Sequence, residues 1–161
     1  MLRLKGMRGF TLVELMITIA ILAIVLSIAA PSFRDILLNN RINTAAQEMH
    51  AALQIARSEA VKLKQTVTLC AANEDFDECE KTTDWAKGWL LILNNDEVLK
   101  VWTVSDGLNI TGPEDGIIVL ASGMLKTVGI ISAQEKSCSN GVKQTVKISL
   151  TGIVKMEKGS C

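Results

Sequence analysis

Histidine is nearly absent from this sequence: His50 is the only one among 161 residues. Its scarcity removes the commonest metal ligand and general base from almost any candidate site. Cysteines stand at 70, 79, 138 and 161 with no C-x-x-C pair and no histidine helping them, so a zinc site is not expected. There is no phosphate-binding glycine loop, no nucleophile motif and no carboxylate pair in a recognisable catalytic setting. The acidic run at 74–84 lacks the D-x-[DN]-x-[DN]-G spacing of a calcium loop and reads as solvated. These absences point away from an enzyme, and neither a cofactor nor a metal is expected. His50, on a helical stretch, reads as a surface residue.

Charge of one sign is missing locally rather than overall. Lys plus Arg and Asp plus Glu both number 17. Residues 1–9 carry Arg3, Lys5 and Arg8 and no acid; without them 14 basic side chains would face 17 acids. The run 74–84 holds Glu74, Asp75, Asp77, Glu78, Glu80 and Asp84 against Lys81 alone. From Met124 onward the lysines at 126, 136, 143, 147, 155 and 158 outnumber Glu135 and Glu157. The length suits one domain plus an anchor.

Phe10–Ala30 is the long apolar run, with Glu14 its one charge. At about 1.5 Å per residue a helix here is roughly 31 Å long, one hydrocarbon core. Basic residues precede it and none follows until Arg34, so the positive-inside rule leaves the N-terminus cytoplasmic and sends the remainder outward. A cleaved signal peptide is the competing reading, but Pro31 spoils the Ala29-Ala30 cleavage site. Glu14 is costly in such a span unless it has a partner. Thr11-x-x-Glu14 has capping-box spacing. The sharper reading is an ion pair: a cut between Gly9 and Phe10 would create an amine one turn from Glu14, on this chain or a neighbouring copy.

Pro31 is expected to kink or loosen the helix. Beyond it Ile42, Ala45, Ala46, Met49, Ala52, Leu53, Ala56, Ala60 and Leu63 recur at steps of three and four, an amphipathic helix to residue 64. Its alanines suggest close approach to a sheet. Strand-like runs follow at 66–72, 89–94, 98–104, 117–121, 125–131, 144–150 and 153–157, separated by Gly, Asn and Asp turns. The expected fold class is α+β: a long N-terminal helix on an antiparallel sheet or two packed sheets. Trp85, Trp89 and Trp102 read as core rather than as a ligand groove.

The basic leader, Gly9-Phe10-Thr11-Leu12-Val13-Glu14-Leu15 and the apolar helix up to Pro31 resemble a type IV prepilin N-terminus. That resemblance implies a prepilin peptidase cutting after Gly9, N-methylation of Phe10, and Glu14 neutralising the amine of an adjacent subunit. The run Ala56-Arg57-Ser58-Glu59-Ala60-Val61 leading into a strand, and Trp85-x-x-Gly88-Trp89, resemble the FimT/FimU minor pilins and the related H-type pseudopilins of type II secretion. Four segments follow: a 1–9 leader, a 10–30 transmembrane and filament-core helix, a 31–64 amphipathic helix and a 65–161 β-rich periplasmic head. Expected partners are the prepilin peptidase, other pilin or minor pilin subunits and the bacterial inner membrane before assembly.

Four cysteines allow three pairings. An outward-facing head lies in an oxidising compartment. The local choice is Cys70–Cys79 around the acidic loop and Cys138–Cys161 over the last hairpin, where a terminal cysteine tethers an end that would otherwise fray. The second resembles the C-terminal disulfide loop of many pilins. DNA-binding members of the FimT group carry a glycine-arginine-x-arginine motif. Gly152-Ile153-Val154-Lys155 stands there instead, with isoleucine for the first arginine and lysine for the second. Lysine lacks the bidentate fork. Lys143 and Lys147 share one strand face by alternation, and Lys155 follows the Thr151-Gly152 turn. They form a candidate DNA contact, although no Tyr or Phe stands among them to stack bases and Glu157 shares the face of Lys155. The leading expectation is a minor pilin that helps initiate or cap a type IV pilus; the alternatives are an H-type pseudopilin and a DNA-binding minor pilin.

Overall fold

The computed structural model describes residues 10–94, 96–136 and 141–161, and at 29–32 the backbone alone. In chain order the elements are α1 (Leu12–Leu63), β1 (Val67–Ala71), β2 (Gly88–Leu93), β3 (Val98–Thr103), β4 (Leu108–Thr111), β5 (Ile117–Val119), β6 (Gly129–Glu135), β7 (Val142–Ile148) and β8 (Val154–Ser160). Two units divide at Leu37/Leu38.

In the first unit α1 begins with Thr11 as its cap. The Glu14 N–H donates to Thr11 Oγ1 at 3.2 Å, and the Leu15 N–H to the Thr11 carbonyl at 3.1 Å. The side-chain half of the expected capping box is therefore formed. Every side chain from Phe10 to Ile28 and from Phe33 to Leu37 is exposed. Within this stretch an 18-residue window has mean hydropathy 2.7 and is not buried at all. Thr18 Oγ1 and Ser27 Oγ donate to the carbonyls of Leu15 and Ile24, so these hydroxyls are satisfied inside the helix, as hydrocarbon would demand. The helix runs without interruption through Pro31; losing one N–H donor does not end it.

In the second unit the helix buries the expected stripe: Ile42, Ala45, Ala46, Met49, Ala52, Leu53, Ala56 and Ala60. Leu63 and His50 are half-buried, His50 less surface-like than its isolation in the sequence implied. Lys64 ends the helix in the left-handed region (φ 55°), and the Gln65 N–H reaches back to the Ala60 carbonyl at 3.2 Å. This six-to-one bond closes a Schellman cap without glycine.

Two four-stranded antiparallel sheets follow, ordered β3-β2-β1-β5 and β4-β6-β7-β8. Their inner faces share one apolar core with the helix stripe; Leu69, Leu91 and Ile117 come from the first sheet, Ile110, Ile131, Val146 and Ile148 from the second. Strand β2 is buried along its whole length because both its faces are covered. Its outer face joins Cys70 and Ala72 with Leu90 and Ile92 beneath Phe76. Trp85 and Trp89 are fully buried, and Trp89 stacks on half-buried Trp102 at 6.4 Å, so the tryptophans fill core. A Cβ at Gly88 would lie 2.2 Å from the Trp102 carbonyl oxygen, with φ at +145°. Only glycine fits between the two tryptophan strands.

Two strands differ from the sequence expectation. Strand β4 was not anticipated: Leu-Asn-Ile-Thr is only four residues, shorter than the usual signal. The strand expected at 125–131 runs instead over Gly129–Glu135. Leu125 belongs to a separate turn, making an isolated bridge with Val119, while Ser132, Ala133 and Gln134 continue the ladder with β7.

Candidate functional site

The N-terminal feature is a carboxylate placed one turn from an aromatic residue. Gly9 lies outside the described residues. Phe10 is 76% exposed. The Glu14 side chain is exposed on the apolar helix, and among the described residues its carboxylate accepts no hydrogen bond and makes no ion pair. Within one chain it serves the cap through its backbone only.

The acidic loop is closed by the Cys70–Cys79 disulfide, with Cα atoms 5.6 Å apart. Asn73 braces its interior: its Nδ2 donates to Asp77 Oδ1 at 2.7 Å, and its Oδ1 accepts from the Asp77 N–H at 3.1 Å. Lys87 Nζ lies 3.0 Å from Glu80 and 3.8 Å from Glu74. The hydrogen bond to Glu80 raises the Lys87 ammonium above the ordinary lysine value. Cys161 is also disulfide-bonded; Cys138, its expected partner, lies outside the described residues.

The three expected lysines meet on the outer face of the second sheet. Register across β6, β7 and β8 sets Ile130 beside Lys147 beside Lys155, then Ser132, Thr145 and Glu157, then Gln134, Lys143 and Gly159. Glu157 does share the face, and its carboxylate accepts from Lys147 Nζ at 2.6 Å. That pair is half-exposed and leaves Lys143 and Lys155 without a carboxylate within 4.0 Å among the described residues. A shallow cavity of about 370 Å³ is lined by Lys147, Ser149, Thr151, Ile153 and Lys155. Exposed Val128 and Ile153 extend the apolar part of the face. No group of three or more His, Cys, Asp or Glu side chains among the described residues could hold a metal ion.

Sequence reasoning missed Arg57. From the helix its Nε donates to the Gly123 carbonyl at 3.0 Å and its Nη1 to the Gly152 carbonyl at 3.1 Å, with Nη2 3.4 Å from the Thr151 carbonyl. One guanidinium thus fastens two turns to α1. Gly152 (φ +79°) lets it approach: a Cβ there would lie 2.5 Å from Arg57 Cζ. The glycine of the expected Gly152–Lys155 stretch has this packing reason of its own, independent of any DNA role. A signal was present, since an arginine stands among the small residues of Ala56-Arg57-Ser58 and a Thr-Gly turn lies downstream, but nothing local linked them.

A capped apolar helix that continues as an amphipathic stripe under antiparallel sheets defines a pilin-like protein. The sequence model of the family "Type II transport protein GspH" matches residues 45–152, and that of the prokaryotic N-terminal methylation motif matches residues 4–30. The chain belongs to the GspH family. A fimbrial protein of Pseudomonas aeruginosa is 26% identical over 126 residues, 78% of this chain and 73% of that protein. A second fimbrial protein of that organism is 35% identical over 65 residues, covering 40% of this chain and 42% of its own length. In structure the chain resembles the type IV minor pilin FimU of P. aeruginosa, with TM-score 0.59, 22% identity and coverage of 74% and 90% of the two chains. It also resembles the minor pseudopilin EpsH of the Vibrio cholerae type 2 secretion system, with TM-score 0.53, 16% identity and coverage of 73% and 96%. At these identities the structural likenesses establish the fold.

Proposed function

We propose that this chain is a minor pilin that helps initiate or cap a type IV pilus after cleavage between Gly9 and Phe10. Glu14 carries the reading. It is an exposed carboxylate on an apolar helix, one turn from Phe10, with no partner among the described residues. Cleavage would supply that partner as the amine of Phe10 on a neighbouring subunit, methylated as the matched motif implies. A polar pair formed in an apolar bundle sets register at a cost in stability. Before assembly the same helix holds the chain in the inner membrane, with the N-terminus cytoplasmic and the head periplasmic. The head is closed by Cys70–Cys79 and by Cys161 paired with Cys138. Mass spectrometry of chain purified from membranes tests the processing. A methylated peptide beginning at Phe10 is expected; a chain retaining residues 1–9 contradicts it.

An H-type pseudopilin of type II secretion is the second reading, supported by the family match over residues 45–152. Loss of secretion with intact pili on deletion would favour it. DNA contact through Lys143, Lys147 and Lys155 is supported by their shared face. It is weakened by the Lys147–Glu157 pair and by exposed Ile130 and Ile153 beside the lysines. Salt-dependent binding lost when all three become alanine would support it.

A further inference from the structure

The edges of the two sheets are finished differently. Strand β4 is covered by the chain at 83–85: the Trp85 N–H donates to the Ile110 carbonyl at 2.8 Å and the Gly112 N–H to the Thr83 carbonyl at 3.0 Å. Strand β5 is covered by 124–126, where the Lys126 N–H donates to the Ile118 carbonyl at 2.9 Å. Strand β3 shifts register opposite Leu91 and Ile92, an irregularity that spoils further pairing. Strand β8 carries no such cover among the described residues. It pairs with β7 in unbroken register from Val154 to Ser160, and all of it but half-buried Val154 is exposed. The bonding alternation is fixed from both ends: the Ser149 N–H donates to the Ile153 carbonyl at 3.0 Å and the Cys161 N–H to the Gly141 carbonyl at 3.2 Å. Between them Lys155, Glu157 and Gly159 bond to β7, so the N–H and C=O groups of Val154, Met156, Lys158 and Ser160 point outward. The side chains of these four continue the inner row of β7. The core runs out at Met156, which is 51% exposed beside buried Val146.

We propose that the β8 edge accepts an extended strand of a different polypeptide, acidic and with alternate apolar residues. An added strand takes affinity from its main-chain bonds and specificity from its alternate side chains. The donor's apolar residues lie in the row of Val154 and Met156 and extend the core. Its carboxylates lie beside Lys158 in that row and beside Lys155 on the opposite face. Neither lysine has a carboxylate within 4.0 Å among the described residues, whereas Glu157 is engaged by Lys147. The edge is also fixed in advance. Arg57 fastens the turn before β8, and disulfide-bonded Cys161 follows it, so little ordering is left to the moment of docking. This chain does not supply the donor. A second β8 presents the same positive edge, with its Glu157 already held, and acidic 73–80 is kept in a loop by Cys70–Cys79. One donated strand fills the edge, so the contact does not propagate from copy to copy. The inference concerns the head alone and stands whether or not the chain initiates or caps a pilus.

The probe is a short peptide alternating valine with threonine and ending in aspartate at both ends, added to the full chain in detergent and read by amide exchange. Exchange at Val154, Met156, Lys158 and Ser160 should slow about tenfold near saturation, while Lys155, Glu157 and Gly159, already bonded to β7, change little. The same peptide with alternate amides N-methylated should give no protection. Met156→Pro removes an outward N–H and no bond to β7, so it should fold and lose the protection. Met156→Ala should keep it, and tryptophan-monitored unfolding checks that both variants are folded. Lys155→Glu with Lys158→Glu should weaken binding about tenfold and reverse the preference toward a peptide with lysine ends, which a folding defect would not do. Absence of protection, protection by the N-methylated peptide, indifference to charge, or protection surviving in Met156→Pro would overturn the proposal. So would protection of the outward set in the chain alone, which marks a second copy, or by duplex DNA in place of the peptide.

Discussion

Replacing Arg57 tests the structure at the point the sequence concealed. Its guanidinium makes two well-formed bonds, 3.0 Å to the Gly123 carbonyl and 3.1 Å to the Gly152 carbonyl, and a long one of 3.4 Å to Thr151. A hydrogen bond to a charged group contributes about 1.5–3 kcal/mol when buried, and half-exposure lowers each toward about 1 kcal/mol. Arg57→Ala should therefore cost about 2 kcal/mol. Arg57→Lys should cost about half of that, since one ammonium cannot span both turns. Gly152→Ala should be costlier than Gly107→Ala. Both positions have positive φ, but a Cβ at Gly152 meets Arg57 Cζ at 2.5 Å whereas at Gly107 nothing lies within 4 Å. The two sites should couple: with Arg57 already alanine, Gly152→Ala should lose about 1 kcal/mol of its cost, leaving the φ strain. The assay is denaturant unfolding of the full chain in detergent, followed by tryptophan fluorescence, with amide exchange at residues 120–125 and 149–153. An Arg57→Ala effect below about 0.5 kcal/mol, the range of ordinary surface changes, or costs that simply add, would refute the reasoning.

Two further outcomes follow from the packing. Changing Cys70 and Cys79 together to serine opens a short loop, with a sequence separation of 9, and should lower stability by about 2–3 kcal/mol by chain entropy. Faster amide exchange should be confined to β2 and the 72–80 loop, where Phe76 covers Leu90 and Ile92. Leu53→Ala should cost about 2–5 kcal/mol in the same unfolding assay, because Leu53 is 1% exposed between helix and sheets. A cost under about 1 kcal/mol would show that the helix stripe is not packed as described.

Periodic and local features were legible in the sequence. Eight of the nine stripe residues from Ile42 to Leu63 are buried, because a helix repeating at 3.6 residues against a sheet leaves little freedom over which face is covered. The Cys70–Cys79 pair was legible because both partners lie close in sequence. Long-range geometry was not. Arg57 and Gly152 are 95 residues apart, and only the folded sheet brings the turn to the helix. Phe76 looked like part of a solvated acidic loop, yet it covers the outer face of β2. Strand β6 was displaced because Leu125 and Leu120 belong to a tight turn around Gly123, which apolar content alone does not distinguish from strand. Lys143 and Lys147 were placed on one face by alternation and Lys155 beyond the turn that follows, but the Lys147–Glu157 bond needed the register of β7 with β8.

Glu14 is proposed to find its partner in a neighbouring subunit and not in its own chain. Glu14→Ala, compared with wild type for leader cleavage and for recovery in the sheared filament fraction, tests it most directly. Normal cleavage after Gly9, normal membrane retention and about a tenfold or greater loss from filaments are expected, the last because the neighbouring amine would be buried unpaired. Recovery of Glu14→Ala in filaments at the wild-type level would contradict it.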